Sequence, residues 1–152
     1  MERFEDTVVV ITGAGSGIGR ATAERLAAEG AALVLTDVNA EGLEATAATC
    51  AEHGRAVTSL VSDVSDEPSV AEVIATAVAE HGRIDVLCNV AGILQFKDFR
   101  QTTLDDWNRI IAVNLTGTFL MCRDALPHLH ESQGNIVNMA STATPALSAI
   151  AR

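Results

Sequence analysis

The sequence predicts an α/β fold in which an open parallel sheet is doubly wound and carries helices on both faces. Three observations support it: short apolar runs alternate with segments of helical character, a glycine-rich stretch at residues 12–19 joins the first run to the first helical segment, and no low-complexity linker interrupts the 152 residues. Strands that alternate with helices at this spacing form parallel sheets covered by helices. We therefore expect one domain over residues 1–152, long enough for a hydrophobic core.

Five strands and four helices are expected in order. Residues 8–11 are all apolar without alternation, which is typical of a strand buried on both faces, and this strand is predicted at residues 7–12. Further strands are predicted at residues 32–37, 56–62, 84–90 and 135–140, and helices at residues 18–30, 40–54, 67–82 and 104–131. Thr103 and Asp106 are spaced like a capping pair before the last helix, and Pro127 is expected to end or bend it. A tail of small residues with Pro145 follows.

The glycine-rich stretch predicts an anion site. Glycine at a strand-to-helix turn allows positive φ, close approach of a bulky anion, and tight packing of the helix on the strand. The helix N-terminus then directs free N–H groups and partial positive charge at the turn, which suits a dinucleotide pyrophosphate. The general fingerprint Gly-x-Gly-x-x-Gly does not fit, because it would need glycine where Ile18 or Arg20 stands. An ordinary strand-to-helix turn is the alternative.

Asp37 ends the second predicted strand, eighteen residues after Gly19. An acidic residue at about this distance accepts hydrogen bonds from the adenosine ribose hydroxyls. A carboxylate there repels a 2′-phosphate, and neither Ser16 nor Val38 offers a cation for one, so NAD is favoured over NADP. The alternative for Asp37 is a helix cap or a solvated strand end.

The spacing that does fit is Thr12-Gly13-x-x-x-Gly17-x-Gly19, which resembles the glycine motif of the short-chain dehydrogenase/reductase family. Asn89-Val-Ala-Gly92 is similar to the family's Asn-Asn-Ala-Gly element, although Val90 replaces the second Asn. Ala140 likewise stands where many members have a second Ser. The resemblance implies a Rossmann-type fold and NAD as cofactor, bound by Gly13, Ser16, Gly17, Ile18, Gly19, Asp37, Asp63, Val64, Asn89, Ala91 and Gly92.

The resemblance also implies two catalytic residues. Ser141, at the end of the fifth predicted strand, looks like the serine of the family's Ser-Tyr-Lys active site, and Asn114 looks like its helix-borne asparagine. Each residue has a structural alternative, since Asn114 fits a buried amide satisfied by backbone and Ser141 fits an ordinary loop hydroxyl. Asp63, the counterpart of the family's adenine-contacting Asp, also fits plain turn chemistry.

The function implied by the resemblance is NAD-dependent oxidation of an alcohol or reduction of a carbonyl. The family's Tyr-x-x-x-Lys motif would follow Ser141 by about a dozen residues, but the sequence stops at Arg152 and contains no tyrosine. We expect this polypeptide to turn over slowly or not at all, because general acid–base catalysis contributes about 10² to 10⁴ in rate. The alternative is a catalytically silent fragment that binds NAD or pairs with another subunit.

The partners expected are a small alcohol or carbonyl substrate and another polypeptide. A fold truncated after its fifth strand leaves an open sheet edge and uncovered apolar helix surface, which predicts a homo-oligomer or a complementing C-terminal fragment. The net charge of −10 argues against nucleic acid and anionic membranes as partners. The N-terminus resembles no signal peptide, and Cys50, Cys88 and Cys122 read as free thiols, so a cytoplasmic location is expected. No histidine or cysteine spacing indicates a metal site.

Overall fold

The computed structural model describes residues 3–96 and 98–141, so the predicted tail of small residues with Pro145 lies outside the described residues. Five strands form one parallel sheet: β1 Val8–Thr12, β2 Ala32–Asp37, β3 Val57–Val61, β4 Val86–Asn89 and β5 Asn135–Asn138. The helices are α1 Gly17–Ala28, α2 Ala40–Ala51, α3 Glu67–His81, α4 Leu104–Ile111 and α5 Thr118–Ser132. The predicted fold class, a Rossmann-type parallel sheet with helices on both faces, is confirmed.

The strand order is β3-β2-β1-β4-β5, with every neighbouring pair parallel. The chain therefore builds outward from β1 to β3 on one side and then crosses back to add β4 and β5 on the other. A crevice opens at such a reversal, outside the carboxyl ends of the strands.

Alternate residues of β1 point into two separate cores. Val9 and Ile11 pack with Ala23 and Ala27 of α1 and other residues on one face. Val10 packs on the opposite face in a cluster that includes residues of α3 and α5. Because both faces of the central strands are covered, an uninterrupted apolar run is the pattern that fits them.

The prediction of one regular helix over residues 104–131 is wrong, because the helix is interrupted. A π-helical segment, Ala112–Gly117, separates α4 from α5. Within the segment Gly117 lies so close to Val64 that an added Cβ would be 2.7 Å from Val64 Cγ2. The predicted capping pair is present, since Thr103 and Asp106 form a capping box at the start of α4.

Pro127 does not end α5, which continues to Ser132. A proline inside a helix removes one main-chain hydrogen bond. Ala125 and Leu129 on either side of it are buried, so packing holds the helix together there. Among the described residues, no helix is both long and apolar enough to cross a membrane.

Candidate cofactor site

A cavity of about 430 Å³ lies outside the carboxyl ends of the strands. Ten of the eleven predicted cofactor residues line it: Gly13, Ser16, Gly17, Ile18, Gly19, Asp37, Asp63, Val64, Ala91 and Gly92. These residues come from four separate connections along the chain, and the strand order brings them to one edge of the sheet. The eleventh, Asn89, lies outside the lining.

The glycine turn is packed against the end of β4. Gly13 has φ +69°, and a Cβ added there would lie 2.8 Å from both the main-chain N and the Cα of Ala91. A Cβ on Gly19 would collide with the carbonyl oxygen of Gly13. Any side chain at either position would therefore force the turn away from the strand or the helix away from the turn.

The N-terminus of α1 faces the cavity, and no side chain of its first turn compensates the partial positive charge of the helix dipole. Ser16 is the N-cap residue, but its side chain makes no capping hydrogen bond. The first turn of α1 also holds no acidic residue. Free main-chain N–H groups and the positive end of the helix dipole consequently face the cavity, which is the arrangement that binds phosphate.

The Asp37 carboxylate is fixed by two main-chain donors. Gly15 N–H donates to Oδ2 at 2.9 Å, and Asn39 N–H donates to Oδ1 at 2.8 Å. An ionised carboxylate offers about four lone-pair sites, so each oxygen can still accept a further hydrogen bond. The two hydroxyls of a ribose are donors that can make these further hydrogen bonds.

Asp63 takes part in a turn at the end of β3. Its Oδ1 accepts hydrogen bonds from the main-chain N–H of Ser65 at 2.9 Å and from the Ser65 hydroxyl at 2.7 Å. The turn chemistry considered for Asp63 is therefore present. The same turn exposes Asp63 beside the mostly buried side chain of Val64, so a polar and an apolar group adjoin at this end of the cavity.

Thr12 holds the segment after β4 in place, a role that the sequence did not reveal. Its buried Oγ1 accepts hydrogen bonds from the main-chain N–H groups of Val90 and Ala91, each at 3.1 Å. These are the residues that the glycine turn touches. The only signal in the sequence is the position of Thr12 as the last residue of a buried strand.

The Asn89 side chain faces the sheet edge. Its Nδ2 donates to Asn138 Oδ1 of β5 at 2.8 Å and lies 3.3 Å from Cys122 Sγ, while Oδ1 is buried without a hydrogen-bond partner among the described residues. Asn89 therefore bridges β4 and β5, and direct contact with a cofactor stays a prediction.

The two predicted catalytic residues lie outside the cavity lining. Asn114, in the π-helical segment, exchanges two hydrogen bonds with the main chain of Ile93: Oδ1 accepts at 2.8 Å and Nδ2 donates at 2.9 Å. The backbone hydrogen bonding considered for this residue is thus present, but the residue is exposed and the expected burial is wrong. Ser141 is exposed and follows the end of β5 by three residues, at the same edge of the sheet.

Several lining residues were not among the predicted cofactor residues. They are Thr36, Val38, Ser62, Ser65, Val90, Ile93, Arg109, Ala112, Val113 and Met139. Thr36 and Ser62 directly precede Asp37 and Asp63, and their buried hydroxyls have no partner within the described ranges. Arg109 lies on α4, and Ala112 and Val113 follow it directly. No local motif in the sequence indicates that this helix passes over the cavity.

None of the residues described as lining this cavity is a cysteine. Cys88 is buried in β4, and burial raises the pKa of its thiol, which suits a core residue rather than a nucleophile. Residues 3–96 and 98–141 contain no group of three or more His, Cys, Asp or Glu side chains that could hold a metal ion.

Comparison with known proteins identifies the family. The model of the short chain dehydrogenase family matches residues 7–150. The chain belongs to this family. The glycine turn between β1 and α1 and the acidic residue at the end of β2 lie within the matched residues.

Known relatives match nearly all of this sequence. The D-threitol dehydrogenase of Mycolicibacterium smegmatis is 42% identical over 142 residues, which are 93% of this chain and 55% of that protein. The meso-2,3-butanediol dehydrogenase of Serratia marcescens is 44% identical over 139 residues, or 91% of this chain and 55% of that protein. The chain spans about half the length of the curated relatives it matches.

A solved structure of NAD⁺-bound xylitol dehydrogenase superposes with a TM-score of 0.90 at 37% identity, covering 97% of this chain and 59% of that one. The polar groups of this cavity fit a dinucleotide: free N–H groups at α1 can donate to phosphates, and the Asp37 carboxylate can accept from ribose hydroxyls. The close approach of Gly13 to Ala91 holds the glycine turn against the end of β4 in the cavity wall.

Proposed function

We propose that this chain is the NAD-binding portion of an oxidoreductase that interconverts an alcohol and a carbonyl compound. The observation that carries the proposal is the convergence of Asp37 and the uncapped N-terminus of α1 on one cavity. Phosphate would lie on Ser16, Gly17 and their main-chain N–H groups, and the adenosine ribose on Asp37. The NAD⁺-bound xylitol dehydrogenase structure, with the same fold, supports this choice of cofactor.

NAD is favoured over NADP by the charge at Asp37. A 2′-phosphate would lie against the carboxylate that both Gly15 and Asn39 hold in place. Ser16 and Val38 also line this cavity, and neither can neutralise a phosphate. The carboxylate therefore accepts hydroxyls and repels a second anion.

When bound, NAD supplies a nicotinamide ring that accepts or donates a hydride. The residues of this chain bind and orient the cofactor and the substrate. We infer that Ser141 binds the substrate oxygen, and that Asn114 supports a proton-relay water through its main-chain carbonyl. That carbonyl accepts a hydrogen bond from Thr118 Oγ1 at 3.0 Å. The sequence has no tyrosine, so we expect this polypeptide by itself to bind cofactor with little turnover.

The substrate class proposed is a small secondary alcohol or its ketone. The named relatives include dehydrogenases for threitol and 2,3-butanediol, which supports testing diols and polyols first. The segment at residues 95–102, which follows the cavity-lining end of β4, is expected to contribute to substrate selection. Its exposed apolar side chains, Phe96 and Phe99, suit contacts with carbon chains.

The test is a binding titration of the 152-residue chain with NADH and NADPH. Trp107 on α4 is the sole tryptophan, and energy transfer from it to the reduced nicotinamide reports binding directly. We expect NADH to bind more tightly than NADPH. The Asp37→Ala variant should lose about ten- to a hundredfold in NADH affinity, because a hydrogen bond to a charged group contributes about 1.5–3 kcal/mol, and should also discriminate less against NADPH.

Glu44→Ala is the matched control, since Glu44 is exposed on α2 and does not line the cavity. It should leave both affinities unchanged. Absence of NADH binding at millimolar concentration would refute the proposed function, and equal binding of NADH and NADPH would refute the role of Asp37.

A second candidate, subunit pairing, is favoured by an uncovered apolar stripe. Trp107, Leu115, Phe119 and Leu126 recur at helical spacing from α4 to α5, and each is more than half exposed. The adjacent strand β5 pairs only with β4 among the described strands and is exposed throughout. We propose that a second copy of this chain covers the stripe, because one self-complementary patch closes a two-fold dimer.

Light scattering during gel filtration tests the pairing. We expect a dimer for the 152-residue chain and a monomer for Phe119→Glu, which places a charge in the middle of the stripe. Ala48→Glu on exposed α2 is the control and should remain dimeric. A monomeric parent chain would contradict self-pairing and leave a complementing C-terminal fragment as the partner to test.

A further inference from the structure

Arg109 is the one described arginine without a polar partner. It lies in the last turn of α4, is exposed, and lines the cavity with Ala112 and Val113. The other described arginines all make ion pairs or hydrogen bonds; they are Arg3, Arg20, Arg25, Arg55, Arg83, Arg100 and Arg123. An unpaired guanidinium in a chain with a net charge of −10 therefore stands out as a group available to a ligand.

The acidic groups in the cavity wall do not hold Arg109. The described lining contains two carboxylates, Asp37 and Asp63. Asp37 accepts its hydrogen bonds from the main chain of Gly15 and Asn39, and Asp63 accepts from Ser65. Arg109 is also the sole basic residue in the described lining, so a bound dinucleotide would meet this cation and no other there.

The helix contacts place Arg109 toward the β3 side of the cavity. Gly117, in the π-helical segment after α4, lies against Val64, which follows Asp63 at the end of β3. Val113 packs against the core cluster that contains Val64. Arg109 precedes Val113 by one helical turn and lines the same cavity as Val64, Val113 and the Asp63 turn.

We propose that Arg109 stacks its guanidinium on the face of the adenine ring, with Asp63 at the ring's polar edge. The inference rests on the proposed binding of NAD. A flat apolar ring fits between the valine wall and a planar cation, and arginine suits this position because its guanidinium is planar, weakly hydrated and stacks on aromatic faces. The phosphates have their own site on the N–H groups of α1, on a different element.

Calorimetric titration of the 152-residue chain tests the inference with three ligands: NADH, ADP-ribose, and reduced nicotinamide mononucleotide, which lacks adenine. Arg109→Met keeps an unbranched apolar side chain and removes the guanidinium. We expect this variant to bind NADH and ADP-ribose about tenfold more weakly, as for loss of one stacked base. Its affinity for the mononucleotide should be unchanged. Arg100→Met is the control, because Arg100 is exposed, pairs with Asp98 and does not line the cavity.

Arg109→Lys separates stacking from charge. Lysine keeps the cation without the planar group, so stacking predicts that the lysine variant binds ADP-ribose almost as weakly as Arg109→Met. Full recovery of affinity with lysine would overturn the stacking role in favour of simple attraction to phosphate. If Arg109→Met weakened binding of the mononucleotide as much as binding of NADH, the stacking role would be overturned as well.

The two proposals fail in different ways. If the parent chain binds neither NADH nor ADP-ribose, the proposed function fails and this inference falls with it. If the parent chain binds both and Arg109→Met binds them equally well, only the inference fails. The melting temperature of Arg109→Met should match the parent, since the removed group is exposed and has no described polar partner.

Discussion

Gly15 donates its main-chain N–H to Oδ2 of Asp37 across a distance of 2.9 Å, so the glycine turn and the end of β2 form one unit. Arg20 supports this unit from behind, donating to the carbonyl oxygen of Gly15 at 2.6 Å and to Thr46 Oγ1 of α2 at 3.1 Å. The carboxylate that we assign to the ribose is therefore fixed before any ligand arrives. A group that is already oriented loses less conformational freedom on binding.

Replacing Gly15 by alanine should disturb this unit. A Cβ there would lie 2.9 Å from Asp37 Cγ, so the carboxylate must move. We expect Gly15→Ala to lower the free energy of unfolding by about 1–3 kcal/mol, as overpacking does. NADH affinity should also fall by about tenfold as the ribose contact is lost. Urea unfolding and NADH titration measure the two effects.

Gly54→Ala is the matched control. Gly54 has φ +77° and open space around it, and it precedes β3, at the opposite edge of the sheet from the cavity. Its replacement should cost about 1–2 kcal/mol through backbone strain alone and leave NADH affinity unchanged. Normal NADH binding by Gly15→Ala would show that the Asp37 position does not matter for the cofactor.

The strands, most of the helices and the layer arrangement could be predicted because the sequence signals are local. The apolar run at residues 8–11 and Gly82, which ends the helix predicted at residues 67–82 and adopts φ +75°, both act within a few residues. The π-helical segment could not be predicted, because the close contact between Gly117 and Val64 joins residues far apart in sequence. Persistence of α5 through Pro127 likewise depends on the packing of its neighbours.

The residues of the candidate site likewise divide into those that local sequence signals predict and those that depend on packing between distant parts of the chain. Gly13, Asp37 and Asp63 could be placed because each ends a strand, and parallel strands bring such ends together. Arg109 could not, since it reaches the cavity only through the course of α4. Asn89 follows the strand-end rule in sequence, but its side chain turns to Asn138, a direction that depends on β5 pairing beside β4.

Thr12 should be required for stability through its hydroxyl. Thr12→Val keeps the shape of the side chain but leaves the N–H groups of Val90 and Ala91 without the acceptor they share. A buried unsatisfied donor costs about 1–3 kcal/mol, so we expect a loss of that size in urea unfolding. Thr12→Ser retains the hydroxyl and should lose only about 1 kcal/mol for the missing methyl group. Equal stability of the two variants would contradict the hydrogen-bonding role.

Glu29 should make stability depend on pH in the acid range. Its side chain is largely buried and pairs with Arg3 and Arg25, and the hydrogen bond from Arg3 is the largest influence that lowers the pKa of Glu29 from 4.5 to about 2. Because the folded-state pKa is the lower one, the stabilisation is present above about pH 4.5 and is lost as the pH falls towards 2.

Glu29→Gln removes this titration. Between pH 4.5 and 2 the free energy of unfolding of the parent chain should fall more steeply than that of the variant, as measured by urea unfolding at a series of pH values. Glu44→Gln, an exposed change on α2, should follow the parent curve. If Glu29→Gln and the parent chain have parallel curves, the paired carboxylate does not titrate with folding.

Cys122 should be the thiol that reacts in the folded chain. Cys50 and Cys88 are buried, whereas Cys122 is half-buried on α5. Burial raises the pKa of Cys50 to about 11 and also raises the pKa of Cys88, so both thiols are protonated as well as covered at neutral pH. Iodoacetamide followed by peptide mass spectrometry should therefore modify Cys122 first in buffer and all three cysteines in urea. Cys122→Ser should abolish the native reaction, and rapid native labelling of Cys50 in either protein would mean that the α2 face opens without global unfolding.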